Sequence, residues 1–96
     1  MSIPEVFTYM PQILHSILTS EMIRAARALL RWEQRDLADA SSVSLPTIKR
    51  LESKPGLLGA YSSTVAAIAR AFEAAGIEFT NGDQPGVRLR QIRRKD

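Results

Sequence analysis

The chain has no cysteine, which excludes disulfide frameworks, thiolate zinc sites, iron–sulfur clusters and thiol nucleophiles together. It has one histidine, His15, so a multi-histidine metal site is excluded too. That ring sits beside Leu14, Ile17 and Leu18, where packing is its ordinary role. No cofactor is implied. Apolar runs long enough to span a bilayer are missing, and Glu5 stands where a signal peptide would carry a basic cluster. The expectation is a cytoplasmic protein with no membrane partner. Acid–base chemistry also has little to draw on. Glu5, His15 and Glu21 are the only suggestive set, on an apolar stretch without a nucleophile or a Gly-rich phosphate loop. No enzymatic reaction is expected.

What is present is 96 residues, 45% apolar and 24% charged, which fits one small domain. A chain of this length buries only roughly 60–65% of its unfolded surface, so a binding module suits it better than an enzyme with a deep cavity. The net charge is +3, unevenly spread. Residues 24–54 and 88–96 are basic; residues 1–23 and 55–87 are acidic. Such asymmetry points to a polyanion partner.

Along the chain, residues 1–18 read as an N-terminal helical extension in two pieces, interrupted by Pro4 and Pro11. Ile13, Leu14, Ile17 and Leu18 form an apolar stripe, and Val6, Phe7, Tyr9 and Met10 add apolar mass. This stripe must cover something: the domain itself or a second chain. Thr19 or Ser20 followed by Glu21 signals a helix start. The helix that follows runs to about Leu30, with Met22, Ile23, Ala26, Leu29 and Leu30 on one face.

A short helix is predicted over Gln34–Ala40, with Leu37 and Ala38 inward. Ser41 and Ser42 end it, and Ser44 caps a third helix whose first turn holds Pro46 and whose core face is Ile48 and Leu51. Residues 53–61 read as a loop with Leu57, Leu58 and Tyr61 folded inward. Ser62 or Ser63 caps a fourth helix with Val65, Ile68, Ala69, Phe72 and Ala75 as its core stripe, stopped by Gly76. The period then changes to alternation in Ile77–Thr80 and Val87–Arg90, a hairpin with a six-residue loop. The domain organisation expected is a 1–18 extension, a 19–76 helical domain, a 77–92 hairpin and a basic tail at 93–96. The fold class expected is mainly α: a compact helical bundle with a helix-turn-helix, plus the extension and the hairpin.

From Gln34 to Leu51, two helices joined by a turn of three or four residues must cross steeply. That demands a small residue at the closest approach, here Ala38, and apolar residues at Leu37, Val43, Ile48 and Leu51. This stretch resembles the helix-turn-helix of the Cro and phage-repressor class of DNA-binding proteins, the Xre family. The likeness covers roughly residues 19–75: Arg24-Ala25-Ala26-Arg27-Ala28-Leu29-Leu30, Gln34, Leu37-Ala38, Ser44, Thr47-Ile48 and Leu51-Glu52. Gly86-Val87-Arg88-Leu89 extends it to the hairpin. Residues 1–18 have no counterpart. Ser42 departs from the family pattern, standing where glycine is usual at a positive φ.

The resemblance implies an ion pair, Arg27 with Glu52, tying the first helix to the end of the third. It also implies double-stranded DNA as partner. With Ile48 and Leu51 inward, Leu45, Pro46, Thr47, Lys49 and Arg50 are left to enter a groove. Arg50 suits a guanine edge, Thr47 a base or phosphate, Leu45 a thymine methyl and Lys49 a phosphate. Gln34 is implied to anchor the adjoining backbone, and Arg35, Ser44 and Lys54 complete the expected DNA-contact set. The expected function is a sequence-specific transcriptional regulator, a repressor binding a palindromic operator as a homodimer. The alternative is an antitoxin or co-regulator adaptor, holding a toxin or other protein through the extension or the hairpin.

Overall fold

The computed structural model describes residues 18–80 and 83–90. All of the expected 1–18 extension except Leu18, with Glu5 and His15, and the Arg93-Arg94-Lys95 tail lie outside the described residues. Among the described residues, four helices precede one antiparallel pair of strands: α1 (Ser20–Leu30), α2 (Gln34–Ser41), α3 (Leu45–Ser53), α4 (Ser62–Ala74), β1 (Ile77–Thr80) and β2 (Gly86–Leu89).

Helix α1 starts where Thr19, in extended conformation, accepts the Met22 N–H on its hydroxyl at 3.1 Å. Glu21 in the first turn faces the positive end of the helix dipole. The helix stops at Arg31, which takes a left-handed conformation at φ 58° and donates its N–H to Ala28 O. Three residues later α2 begins, its entry fixed by Asp36 accepting the Glu33 N–H at 2.8 Å. Ser42 closes α2, also left-handed, at φ 63°. Thus the position where the family pattern has glycine does require a positive φ, and serine adopts it.

The connection Ser42-Val43-Ser44 leads into α3, where Ser44 accepts the Thr47 N–H and Pro46 sits harmlessly in the first turn. Between α3 and α4, the Thr19 and Leu57 backbones bridge in antiparallel fashion. Ser20 N–H donates to Gly56 O at 2.9 Å and Leu58 N–H to Leu18 O at 3.2 Å. Gly56 holds φ 94°, a backbone conformation that glycine adopts without the strain a side chain would bring.

The core gathers one face of each helix and of β1, with Val87 of β2 packed against it: Leu18, Met22, Ile23, Ala26, Leu37, Ile48, Leu51, Val65, Ile68, Ala69, Phe72, Ile77 and Phe79. Phe72 stacks on Trp32 at 5.7 Å and meets Phe79 edge-on at 6.0 Å. These aromatic contacts join α4 to the α1–α2 connection and to the sheet. The hairpin register pairs Ile77 with Leu89, Glu78 with Arg88 and Phe79 with Val87. β2 lies against α1 and β1 against α4, so the helices supply the support that an isolated hairpin lacks. On the outer face Glu78 pairs with Arg88 at 2.7 Å and with Arg90 at 3.2 Å.

Several readings of the sequence differ from this structure. Leu29 is 43% exposed, because the buried face of α1 centres on Ile23 and Ala26 and leaves Leu29 at its rim. Leu18, read as the end of the extension's stripe, is a core residue at 1% exposure. Leu57 and Tyr61 do not fold inward, being 67% and 83% exposed. The bridge to Thr19 runs the chain through Leu57 and Leu58 like a strand, so alternate side chains face opposite ways and only Leu58 packs on the core. Tyr61, not Ser62 or Ser63, is the residue preceding α4, and no side chain caps that helix. β2 opens at Gly86, one residue before the expected Val87.

Candidate functional site

Helix α3 is built with two unlike faces. Ile48 and Leu51 are buried, and Glu52 joins them inside. Pro46, Lys49, Arg50 and Ser53 are exposed, with Leu45 and Thr47 half-buried at the margin. The inward face is therefore spent on the core, and the outward face carries two cations, a hydroxyl and small apolar surface.

The start of α3 is organised by its cap. Ser44 donates its hydroxyl to Thr47 Oγ1 at 2.9 Å while accepting the Thr47 N–H at 3.3 Å. The Ser44 and Thr47 hydroxyls are thus paired within the protein, which fixes Thr47 Oγ1 at the start of α3. Because Pro46 has no N–H, the first turn of α3 offers few backbone donors, and its side chains must make the contacts.

Arg50 and Thr47 also line a cleft of about 560 Å³ between α3 and the start of α4. Gly59, Ala60, Tyr61 and Thr64 form its other wall. No motif pointed to Tyr61, because the ring reaches this surface through the α3–α4 connection rather than through helical spacing. The cleft is open, and its lining mixes apolar surface with the polar side chains of Thr47, Arg50, Tyr61 and Thr64, of which the Arg50 guanidinium suits an anionic, hydrogen-bonding group.

Behind this face lies a cluster that holds α3 in place. Arg27 donates to Glu52 through Nε (2.8 Å to Oε2) and Nη2 (2.7 Å to Oε1). Its remaining nitrogen, Nη1, donates to Trp32 O at 3.0 Å. Gln34 Nε2 donates to Glu52 Oε1 at 3.1 Å, and Arg24 Nη1 to the Glu52 carbonyl at 2.8 Å. The Glu52 side chain is 4% exposed and that of Arg27 19%, yet among the described residues no buried side-chain polar atom lacks a partner. Arg27 of α1 and Gln34 of α2 therefore converge on the carboxylate of Glu52 at the last turn of α3, Arg24 holds the main-chain carbonyl of the same residue, and Trp32 in the α1–α2 connection fixes Arg27. The resemblance pointed to Arg27 and Glu52; Arg24 stood in the same run with no partner assigned to it. Gln34, implied as a backbone anchor for DNA, turns its side-chain amide into this cluster.

Of the remaining residues singled out from sequence, Arg35 at the start of α2 and Lys54 after α3 are exposed, as is Ser44. Glu21, the one described member of the acid–base set, accepts the Gly56 N–H at 3.2 Å and faces Arg24 at 4.0 Å. It acts as a tie between α1 and the following loop. Hydrogen bonds from its own and the Gly56 backbone N–H groups, with lesser help from Arg24 and Ser20, hold its carboxyl below the usual carboxylate range. Among the described residues no group of histidines and carboxylates has the spacing to hold a metal ion, and no helix is long and apolar enough to cross a membrane. Comparison with known proteins adds no relative, since neither a family model nor a curated protein matches the chain.

Proposed function

We propose that this protein is a sequence-specific DNA-binding regulator whose α2–turn–α3 unit is a helix-turn-helix with α3 as the reading helix. The carrying observation is the division of α3. Its apolar side is spent in the core, its last turn is clamped through Glu52, and its outward side presents Thr47, Lys49 and Arg50, the last two without a side-chain hydrogen bond or ion pair among the described residues. A B-DNA major groove about 12 Å wide admits such a helix.

The roles follow from the chemistry of the groups. The planar Arg50 fork suits the paired acceptors of guanine or, across the cleft toward Tyr61, a backbone phosphate. The Thr47 hydroxyl suits a base edge or a phosphate, Lys49 suits a phosphate, and Leu45 suits a thymine methyl. Arg35 and Lys54 flank the helix as further phosphate contacts. Gln34 serves through its main-chain N–H at the start of α2, with its side chain committed to Glu52. The likeness of residues 19–75 to the Cro and phage-repressor class supports the same reading.

Such helices act in pairs, reading half-sites about 34 Å apart across a two-fold axis. A repressor acting as a homodimer is the reading we adopt. The half-exposed Leu29 and Leu89 offer apolar surface for the second copy, since Leu29 lies roughly 200° around α1 from the Arg27 side that grips α3.

Selection of bound duplexes from a random-sequence pool at near-physiological salt tests this reading. A recovered palindromic motif is the expected result. Enrichment of no sequence by folded protein overturns the reading and transfers weight to a protein-binding adaptor.

A further inference from the structure

Leu57 and Tyr61 are the two most exposed large apolar side chains among the described residues, at 67% and 83%. They lie four residues apart on the α3–α4 connection; the reading of α3 uses Tyr61 as one wall of its cleft and gives Leu57 no task. The chain that leads to this place is specific. Leu18 is buried at 1% exposure, and its carbonyl accepts the Leu58 N–H. Thr19 is bridged antiparallel to Leu57. Antiparallel pairing sets a direction: followed backward from Ser20 through Thr19 to Leu18, the backbone advances along the connection from Gly56 toward Leu58 and Gly59.

Upstream of Leu18 are seventeen residues carrying Ile13, Leu14 and Ile17 at the spacing of an apolar stripe. From Leu57 to Tyr61 is at most about 13 Å, a span that roughly four extended residues or nine helical ones cover. The stripe lies within five residues of Leu18, so it falls within reach in either conformation. A segment joined to the buried Leu18 has an effective concentration in the millimolar range at this surface, which a separate molecule must match to compete.

We infer that residues 1–17 dock on their own chain, with Ile13, Leu14 and Ile17 covering Leu57 and Tyr61. This assignment makes the N-terminal segment a part of the monomer and leaves the α1–β2 side to a second copy. It does not depend on DNA binding.

Hydroxyl-radical footprinting of the full-length chain, read by mass spectrometry, tests the inference. Oxidation of Leu57 and Tyr61 is expected to be slow in the parent and several-fold faster in I13S/L14S/I17S, with parent rates independent of protein concentration. Equal rates in the two proteins overturn the inference. Protection that grows with concentration overturns it as well, by assigning the surface to a second copy. A second variant covers the case in which the triple substitution impairs folding. In L14C/L57C, made in a chain with no other cysteine, a short bis-maleimide should join the two thiols within one chain at monomer mass. Cross-links found only between chains, or none, count against the inference.

Discussion

The guanidinium of Arg27 and the carboxylate of Glu52 meet in two side-by-side hydrogen bonds, 2.8 and 2.7 Å long, across 25 positions of sequence. Arg27 belongs to α1 and Glu52 to the last turn of α3, so the pair ties the end of α3 to α1. Bidentate geometry and near-complete burial distinguish it from surface pairs, which contribute little.

Removing one partner leaves the other charged and unsatisfied inside the protein. Glu52→Ala is therefore expected to cost about 3–5 kcal/mol, a large part of the stability available to a domain this small. Urea denaturation monitored through Trp32 checks this. An unchanged midpoint would show that the cluster contributes nothing net. Arg27→Met combined with Glu52→Leu should recover much of the loss, because no charge is then stranded.

Ser42 offers a gain instead of a loss. Its φ of 63° places a side-chain-bearing residue in the left-handed region, which costs about 1 kcal/mol or more for an L-residue. Ser42→Gly removes that strain at the α2–α3 corner, offset in part by the added freedom of the unfolded chain. Stabilisation of about 0.5–1 kcal/mol is expected, equivalent to a few degrees in Tm for a chain of this size. Calorimetry decides it, and a lowered Tm would mean that the serine side chain contributes something the backbone geometry hides.

The elements themselves were legible because each is announced by local chemistry. Thr19, Ser44 and Gly76 mark ends, and Val65, Ile68, Ala69 and Phe72 mark a buried face in steps that only a helix satisfies. The candidate site was legible for the same reason: once Ile48 and Leu51 are inward, the exposed positions of α3 follow from 3.6 residues per turn. What escaped was set by tertiary contact. Leu57 and Leu58 are equally apolar, and only the backbone bridge to Thr19 decides which one faces the core. Arg31 carries no mark of a left-handed helix end, since its conformation is imposed by the short path from α1 to α2. Arg24 and Gln34 could not be tied to Glu52 from sequence, because that carboxylate's surroundings exist only when three elements meet.

Two carboxylates make the fold acid-sensitive in a defined direction. Glu21 is stabilised as the anion chiefly by backbone N–H groups, its own and that of Gly56. Glu78 is stabilised first by its hydrogen bond from Arg88, then by the Arg88 charge and by Arg90. Each therefore has a folded-state pKa below its unfolded value near 4.5. A group depressed in this way contributes its full stabilisation above the unfolded value and loses it as pH falls through the folded one. Thermal stability should be level, so far as these groups set it, from neutral pH to about 5 and decline below about 4.5. The double variant Glu21→Gln and Glu78→Gln should flatten that decline. An identical pH profile in parent and variant would place the acid sensitivity in other groups.

Arg50 and Lys49 are adjacent in sequence yet should fail differently when removed. Arg50 lines the cleft with Thr47, Tyr61 and Thr64 and, as a fork of paired donors, suits either two acceptors of one base or one phosphate. Lys49, a point charge on the same outward face, suits phosphate alone. Neither side chain is part of the core, so Arg50→Ala and Lys49→Ala should leave Tm within about 2 °C of the parent, as expected for exposed positions. Lys49→Ala should weaken all duplexes alike and reduce the slope of log affinity against log salt by about one phosphate's worth. Arg50→Ala should cost about 1–3 kcal/mol on the selected duplex and relax preference at one base pair if it reads guanine. If it instead grips the backbone across the cleft toward Tyr61, the loss should be uniform and should also lower the salt slope. Affinity titrations on the selected and a scrambled duplex at several salt concentrations separate the two roles. A variant that loses stability in step with affinity would show that Arg50 supports the fold and does not face the DNA.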